Sequence, residues 1–467
     1  MTVINDLMKK EICRRGDRIF HLNMGKVQKN SFYIESLGCA KNSVDSRAMA
    51  ELLVRNGFVE NGDPNSAEIL IVNTCGFIQP AREESLHVLN EFAAQKPEGQ
   101  ILIAAGCLSE REKSEILNQV KGLDAAFGTR RWADIIRVVE KARGKPDSPY
   151  LHFPITEKII DDDQGVPRAA IQGGSAYLKI ADGCDRGCAF CAIPVIKGPM
   201  VSRPMDQVVK DARILEELGV KEIILIAQDS TAYGRDCGMR DGLVLLLPEL
   251  INAVPDVPWL RVMYTFPGAI SDELIQLMAG NKQILPYLDI PLQHAHPDVL
   301  RRMGRPVNVD WIRKTIAKMR TVMPEISLRT TFITGFPDET EEEFYYLLEF
   351  IREIRFDHVG IFPYYHEEST SAYSFVDSVS TEEKNRRIQM IAAAQEEISL
   401  QINKGFVGKK LDVLIEGNGD GISAGRSYRD APEIDGLVIF DEIIQPGEMV
   451  TGQVTGALIH DLIARQI

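Results

Sequence analysis

From Ser31 onward the chain alternates short apolar runs with longer stretches of helical period. Phe32–Cys39, Ile69–Cys75 and Ile101–Cys107 read as strands, and each ends on a cysteine. Between them, Asp45–Val54 carries apolar residues at Met49, Leu52 and Leu53, and a second helical stretch begins at Ala81. Apolar strands separated by helices imply a parallel sheet. The carboxyl ends of such strands share one edge, where ligands gather. Arg131–Gly144 closes this unit as an amphipathic helix.

Residues 145–175 turn rich in Pro, Asp and Gly and read as a linker or exposed hairpin. The strand–helix rhythm then returns. Candidate strands are Tyr177–Ala181, Glu222–Ala227, Trp259–Tyr264, Tyr287–Leu292, Ile326–Ile333 and His358–Tyr364. Helical patterns such as Met205–Leu218 and Val309–Met323 lie between them. Six parallel strands with crossover helices predict an incomplete barrel whose site lies at the carboxyl-end mouth. After Gly405 the pattern changes to short β-like runs among glycines, at Val413–Glu416, Gly436–Phe440 and Met449–Val454. They predict a small OB-like β-barrel. The fold class is therefore α/β. A parallel α/β domain spans 31–146, a linker 147–174, an incomplete (β/α)6 barrel 175–396 and a small β-barrel 397–467. Residues 1–30 form an extension without a period, in which Met24 offers an alternative start.

Composition adds little to this picture, with 45% hydrophobic and 26% charged residues among 467. Charge adds more. The formal net charge of −14 disfavours loose electrostatic binding to bare nucleic acid. In the tail, ten acidic side chains outnumber five basic ones. That balance suits a basic protein surface better than a phosphate backbone, so direct nucleic-acid binding is not expected. Met1–Lys10 has no apolar signal core, and Leu243–Leu247 is soon broken by Pro248 and Glu249. No membrane span is predicted, and the reading is a cytoplasmic protein with reduced thiols.

Those thiols carry the chemistry. Cys184, Cys188 and Cys191 form a CxxxCxxC loop after a strand, with Gly183 and Gly187 allowing tight bends. Three thiolates hold three corners of a cubane cluster and leave the fourth iron open. Zinc would want a fourth nearby Cys or His, and none follows. Cys39, Cys75 and Cys107 occupy the same place in three successive βα units and are expected to converge as a second trio. Gln228, Asp229, Gln293, His294, Thr334 and Gly335 follow barrel strands and are candidate cofactor contacts. Each also reads as a cap or turn residue, and His294 as a structural histidine. Cys13 and Cys237 read as bystanders.

With an aromatic, Phe190, before its last cysteine, the CxxxCxxC loop resembles that of radical S-adenosylmethionine enzymes. The two trios, the barrel and the terminal β-domain together resemble the methylthiotransferases, from Ser31 to the end. The stretches Ser36–Asn42, Asn73–Ile78, Gly183–Pro194 and Gly425–Asp435 are similar to the RimO-like branch. Ser43 and Arg47 depart from that branch, on the helix beyond Cys39. The resemblance implies a radical-SAM core, a terminal TRAM domain and two 4Fe–4S clusters. One is held by Cys184, Cys188 and Cys191 and binds S-adenosylmethionine; the other is held by Cys39, Cys75 and Cys107 and carries the sulfur. It further implies that Phe190 packs near the adenine, with Gln228, Ile333 and Gly335 at cofactor-contacting strand ends. The implied reaction adds a methylthio group to the β-carbon of an aspartate in small-subunit ribosomal protein S-twelve, with an external electron donor.

Two alternatives stay open at this level. The related MiaB-like branch modifies an adenosine of transfer RNA and shares both trios, but the acidic tail speaks against it. A plain iron–sulfur carrier would more naturally complete each cluster with four cysteines.

Overall fold

The computed structural model describes residues 27–144, 148–154 and 165–467. The expectations that fell on Cys13 and Met24 lie outside the described residues.

The N-terminal unit is a six-stranded parallel sheet in the order β2-β1-β3-β4-β5-β6. Its strands are β1 (Gln28–Ser36), β2 (Val59–Glu60), β3 (Ala67–Thr74), β4 (Ile101–Gly106), β5 (Ala125–Phe127) and β6 (Tyr150–His152). β4 is buried along its whole length and β3 almost so, as expected for strands covered on both faces. Helix α1 (Ala40–Arg55) packs one face around Phe32, Leu53 and Ile71. Helix α2 (Gln79–Gln95) packs the other around Leu70, Leu89 and Leu102. The strand order reverses between β1 and β3, which opens a crevice at their carboxyl ends.

The central unit is an open barrel. Six parallel strands run β8 (Ser175–Lys179), β11 (Glu222–Ile226), β12 (Trp259–Val262), β13 (Ile284–Asp289), β14 (Ser327–Thr334) and β15 (His358–Pro363). An antiparallel strand, β7 (Ala169–Gln172), closes the β8 edge as a hairpin, and β9 (Ala181–Asp182) and β10 (Val201–Ser202) form a short antiparallel pair of their own. The segment read as a linker or hairpin thus supplies β6 to one sheet and β7 to the other. Its Pro, Asp and Gly content disguised two strands of only three and four residues. The first strand, read as Phe32–Cys39, runs Gln28–Ser36.

The C-terminal unit is a closed barrel of β16 (Lys410–Gly419), β17 (Ile422–Ser427), β18 (Val438–Phe440), β20 (Leu462–Gln466) and β19 (Met449–Ala457). The loop after β17 enters the amino end of the large barrel. Arg426 bonds Glu222 at 2.7 Å and Ser175 at 2.9 Å, the first residues of β11 and β8. Arg261 and Ser327 donate to the carbonyls of Tyr428 and Arg429, and Tyr287 bonds Asp435 at 2.7 Å. The motif Gly425–Asp435 is therefore the floor of the barrel. No described helix is long and apolar enough to cross a membrane.

Candidate functional site

The N-terminal sheet docks its strand ends against the cysteine loop of the barrel. Cys39 directly follows the β1–α1 bend, Cys75 follows β3, and Cys107 opens the short helix α3 (Cys107–Glu112) after β4. Asn42 ties them together. Its amide nitrogen donates to the carbonyls of Leu37 and Thr74, and its side-chain oxygen faces Cys107 Sγ at 3.7 Å. Gly38 makes the approach possible. Its φ is +87°, and a Cβ there would stand 2.7 Å from Cys75 Cβ. Cys75 and Cys39 lie near enough for their charges to bear on Cys107.

The second trio lies on the loop 184–191, pinned from several sides. Cys184 N–H donates to Gly198 O, Ala189 N–H to Met303 O, and Ala372 N–H to Ala189 O. Gly183, with φ +79°, lets the chain pass Pro199, whose carbonyl would stand 2.2 Å from any Cβ. Arg305 reaches Cys188 Sγ at 3.5 Å, and the Arg186 N–H points at Cys184 Sγ at the same distance. Both guanidinium groups lie over the Phe266 ring, at 3.9 and 4.3 Å.

The two cysteine segments meet at one contact. Cys107 packs with Ala192 and Ile196, just beyond Cys191, as α3 meets helix α4 (Ile193–Lys197). Cys39 exposes its surface yet is ringed by surrounding atoms, as a residue lining a recess must be. Burial pushes Cys75 up to about 11, and Cys107 and Cys191 to about 12. Burial also acts on Cys39, but the Lys41 charge and the N–H groups of Asn42 and Lys41 at the start of α1 outweigh it and hold that thiol low.

A buried ion cluster welds the halves together between the trios. Asp45 of α1 meets Lys179 of β8 at 2.6 Å, Lys197 of α4 at 3.3 Å, and Arg168. Asp182 takes the same two lysines at 3.0 and 3.2 Å and accepts from Gln228 at 2.9 Å. Both carboxyl groups are buried, yet Lys179 and Lys197 hold them below the usual carboxylate range. This cluster had escaped the sequence reading, because its members are scattered over 150 residues with no shared motif.

The other predicted contacts divide. Phe190 and Ile333 pack against one apolar wall with Ala189, Met303 and Phe336. Gln228 faces the recess beside Asp182, and its side-chain oxygen is buried without a partner. Gly335 shapes a turn instead: its N–H goes to Glu339 at 2.5 Å, and Lys384 fills the space over its Cα. Asp229 holds Arg186 at 2.7 Å. His294 is fully buried beside Glu339, with Nδ1 accepting from the His296 N–H. Gln293 adopts a left-handed backbone at the end of β13. Cys237 is exposed on a short turn.

The donor sets suit clusters better than single ions. Among the described residues, the group of metal-ligating atoms lying within 4.8 Å of one another is His296, Asp298 and Glu343. Neither cysteine trio is drawn in that tightly, whereas tetrahedral zinc at about 2.3 Å from each sulfur would require it. All seven described cysteines are free of disulfides. The unpartnered buried atoms Gln228 Oε1, Thr334 Oγ1 and Arg186 Nη2 lie on the barrel segments named above, ready for a polar ligand.

Comparison with known proteins matches this layout. Residues 178–351 match the radical SAM superfamily, 31–128 an uncharacterized protein family called UPF0004, and 407–467 the TRAM domain. The chain is 45% identical to the ribosomal protein uS12 methylthiotransferase RimO of Roseiflexus sp. (strain RS-1), over 92% of this chain and 96% of that one. It is 44% identical to the RimO of Chloroflexus aurantiacus, over 92% and 98%. Among solved structures, the radical S-adenosylmethionine methyltransferase TsrM of Kitasatospora setae aligns with a TM-score of 0.55 at 13% identity, covering 87% of this chain and 80% of that one, a likeness of fold alone. With near full-length identity of this order to several such enzymes, the chain belongs to the RimO family of ribosomal protein uS12 methylthiotransferases.

Proposed function

We propose that this enzyme adds a methylthio group to the β-carbon of an aspartate in the small-subunit ribosomal protein uS12, using two 4Fe–4S clusters, S-adenosylmethionine and an external electron donor. The observation that supports the reading is the packing of Cys107 against Ala192, the residue after Cys191, which brings the two cysteine segments into contact. In this reading Cys184, Cys188 and Cys191 hold one cluster and Cys39, Cys75 and Cys107 the other, within domains at 31–146, 175–396 and 397–467. When bound, these groups supply radical C–H activation and the transferred sulfur.

The chain's own residues do the positioning. The Met303 and Gly198 carbonyls and Arg305 fix the loop 184–191. Phe190 and Ile333 give an apolar wall for an adenine, Gln228 offers a free carbonyl oxygen, and Gly335 shapes the turn below. Asp45 and Asp182, locked to Lys179 and Lys197, hold the two trios in fixed relation and keep water from the joint.

The C-terminal barrel supports a basic protein partner. Several of its charges are spent inside, such as Arg426, Arg429 and Asp430. The exposed ones are Lys409, Lys410 and Arg465 against seven acidic residues, so the surface keeps its negative sign. A ribosomal protein substrate also accords with a cytoplasmic setting. The test uses anaerobically reconstituted enzyme, uS12, S-adenosylmethionine and a reductant. The expected product is uS12 heavier by one methylthio group on an aspartate; transfer-RNA adenosine modified instead would sink the reading.

A further inference from the structure

One cation beside the first trio has no carboxylate partner, and the charge that bears on it most is that of the Cys39 thiol. Lys41 lies two residues past Cys39 in the first turn of α1 and is 8% exposed. Its Nζ sits 3.2 Å from the centroid of the Tyr264 ring. Among the described residues, no carboxylate pairs with it and no acceptor takes its protons.

The nearest carboxyl groups are engaged elsewhere. Asp182 is taken by Lys179, Lys197 and Gln228. Asp289 is taken by Arg329 at 3.0 Å and the Tyr264 N–H at 3.3 Å. Lys197 adds charge of the same sign nearby. A buried ammonium is almost never left unpaired, because desolvation without a partner is costly. The seat beneath it is built at some expense too. Tyr264 holds φ +60°, a left-handed backbone that a bulky residue adopts only under constraint and that clusters at ligand clamps.

We propose that Lys41, seated on Tyr264, receives the side-chain carboxylate of the substrate aspartate and so sets the preference for aspartate over its amide. This rests on the function proposed above. A carboxylate on Lys41 leaves its β-carbon one bond away, beside Cys39. Asparagine has the same shape but no charge, so it would leave the ammonium uncompensated in a dry recess. The carboxylate of S-adenosylmethionine is the other source of this chemistry. It belongs with the loop 184–191, whereas Lys41 sits on the Cys39 side.

The test measures binding of two labelled uS12 peptides, with Asp or Asn at the target position, to the anaerobically reconstituted full-length enzyme. Wild type is expected to prefer the Asp peptide by roughly tenfold or more. Lys41→Met is expected to bind both alike with its iron content unchanged, and Lys41→Arg to keep part of the preference. A Lys41→Met enzyme with the wild-type ratio overturns the proposal. So does one that keeps the ratio but loses S-adenosylmethionine affinity, or one that loses half its iron. A wild type that methylthiolates no uS12 overturns the underlying function instead, a result separate from any change in the ratio.

Discussion

Lys179 Nζ lies 2.6 Å from Asp45 Oδ1, so a barrel strand and the first helix of the N-terminal sheet are joined by a fully buried ion pair. Removing one member of a buried pair strands the other charge, at a cost of about 3–5 kcal/mol. Asp45→Asn leaves Asp182 as the remaining carboxylate partner of Lys179 and Lys197. We expect its thermal midpoint to fall by roughly 3–5 °C. A shift below one degree by differential scanning fluorimetry would show that the joint does not depend on this pair.

The trios are separable by mutation. In the proposed ligand set, Cys107→Ala removes one ligand of the first trio and substitutes no residue of the loop 184–191. Iron per chain is expected to drop from about eight to about four, while S-adenosylmethionine cleavage to 5′-deoxyadenosine persists and methylthio transfer stops. Retention of all the iron would remove Cys107 from the ligand set.

Gly38 is a stricter position than its exposure suggests. Alanine there must adopt φ +87° and place its Cβ against Cys75. Gly38→Ala should keep the far-ultraviolet circular dichroism of the wild type and lose the electron paramagnetic resonance signal of one cluster. An unaltered two-cluster spectrum would mean that the bend between β1 and α1 can yield.

Much of this was legible in the chain. The alternation of Ile69–Cys75 and Ile101–Cys107 with amphipathic stretches announced a parallel sheet, because strands buried on both faces are apolar throughout. The cysteines at those strand ends announced the recess, since parallel strands bring their carboxyl ends to one edge. What stayed hidden depends on folding across long separations. β17, with the sequence Ile-Ser-Ala-Gly-Arg-Ser, has too few apolar residues to alternate, and becomes a strand only between β16 and β18. Lys179, Lys197 and Asp45 carry no local mark of burial, and only the docking of α1 against the barrel buries them together. Gly335, at the end of a barrel strand, gives its N–H to Glu339 four residues on, a partnership that no local pattern announces.

The seam between the two barrels is acid-sensitive. Burial favours the neutral form of Glu222, yet Arg426 and Arg261 hold its carboxyl at about 2, below the usual 4.5. A depressed carboxyl stabilises the fold fully above the unfolded value and loses that effect as pH falls through the folded one. The contribution is on the order of 3 kcal/mol. Glu222→Gln should therefore be less stable than wild type at pH 7, with the gap in urea midpoint closing between pH 4.5 and 2. A gap independent of pH would assign its origin to packing alone.

The loop carrying Arg426 and Tyr428 has a consequence for how substrate arrives. It corks the large barrel from below, so the small barrel cannot swing like a tethered arm to deliver what it catches. Clipping the chain after residue 404 would pull that cork, and water would rise through six strands to the very chamber that needs to stay dry.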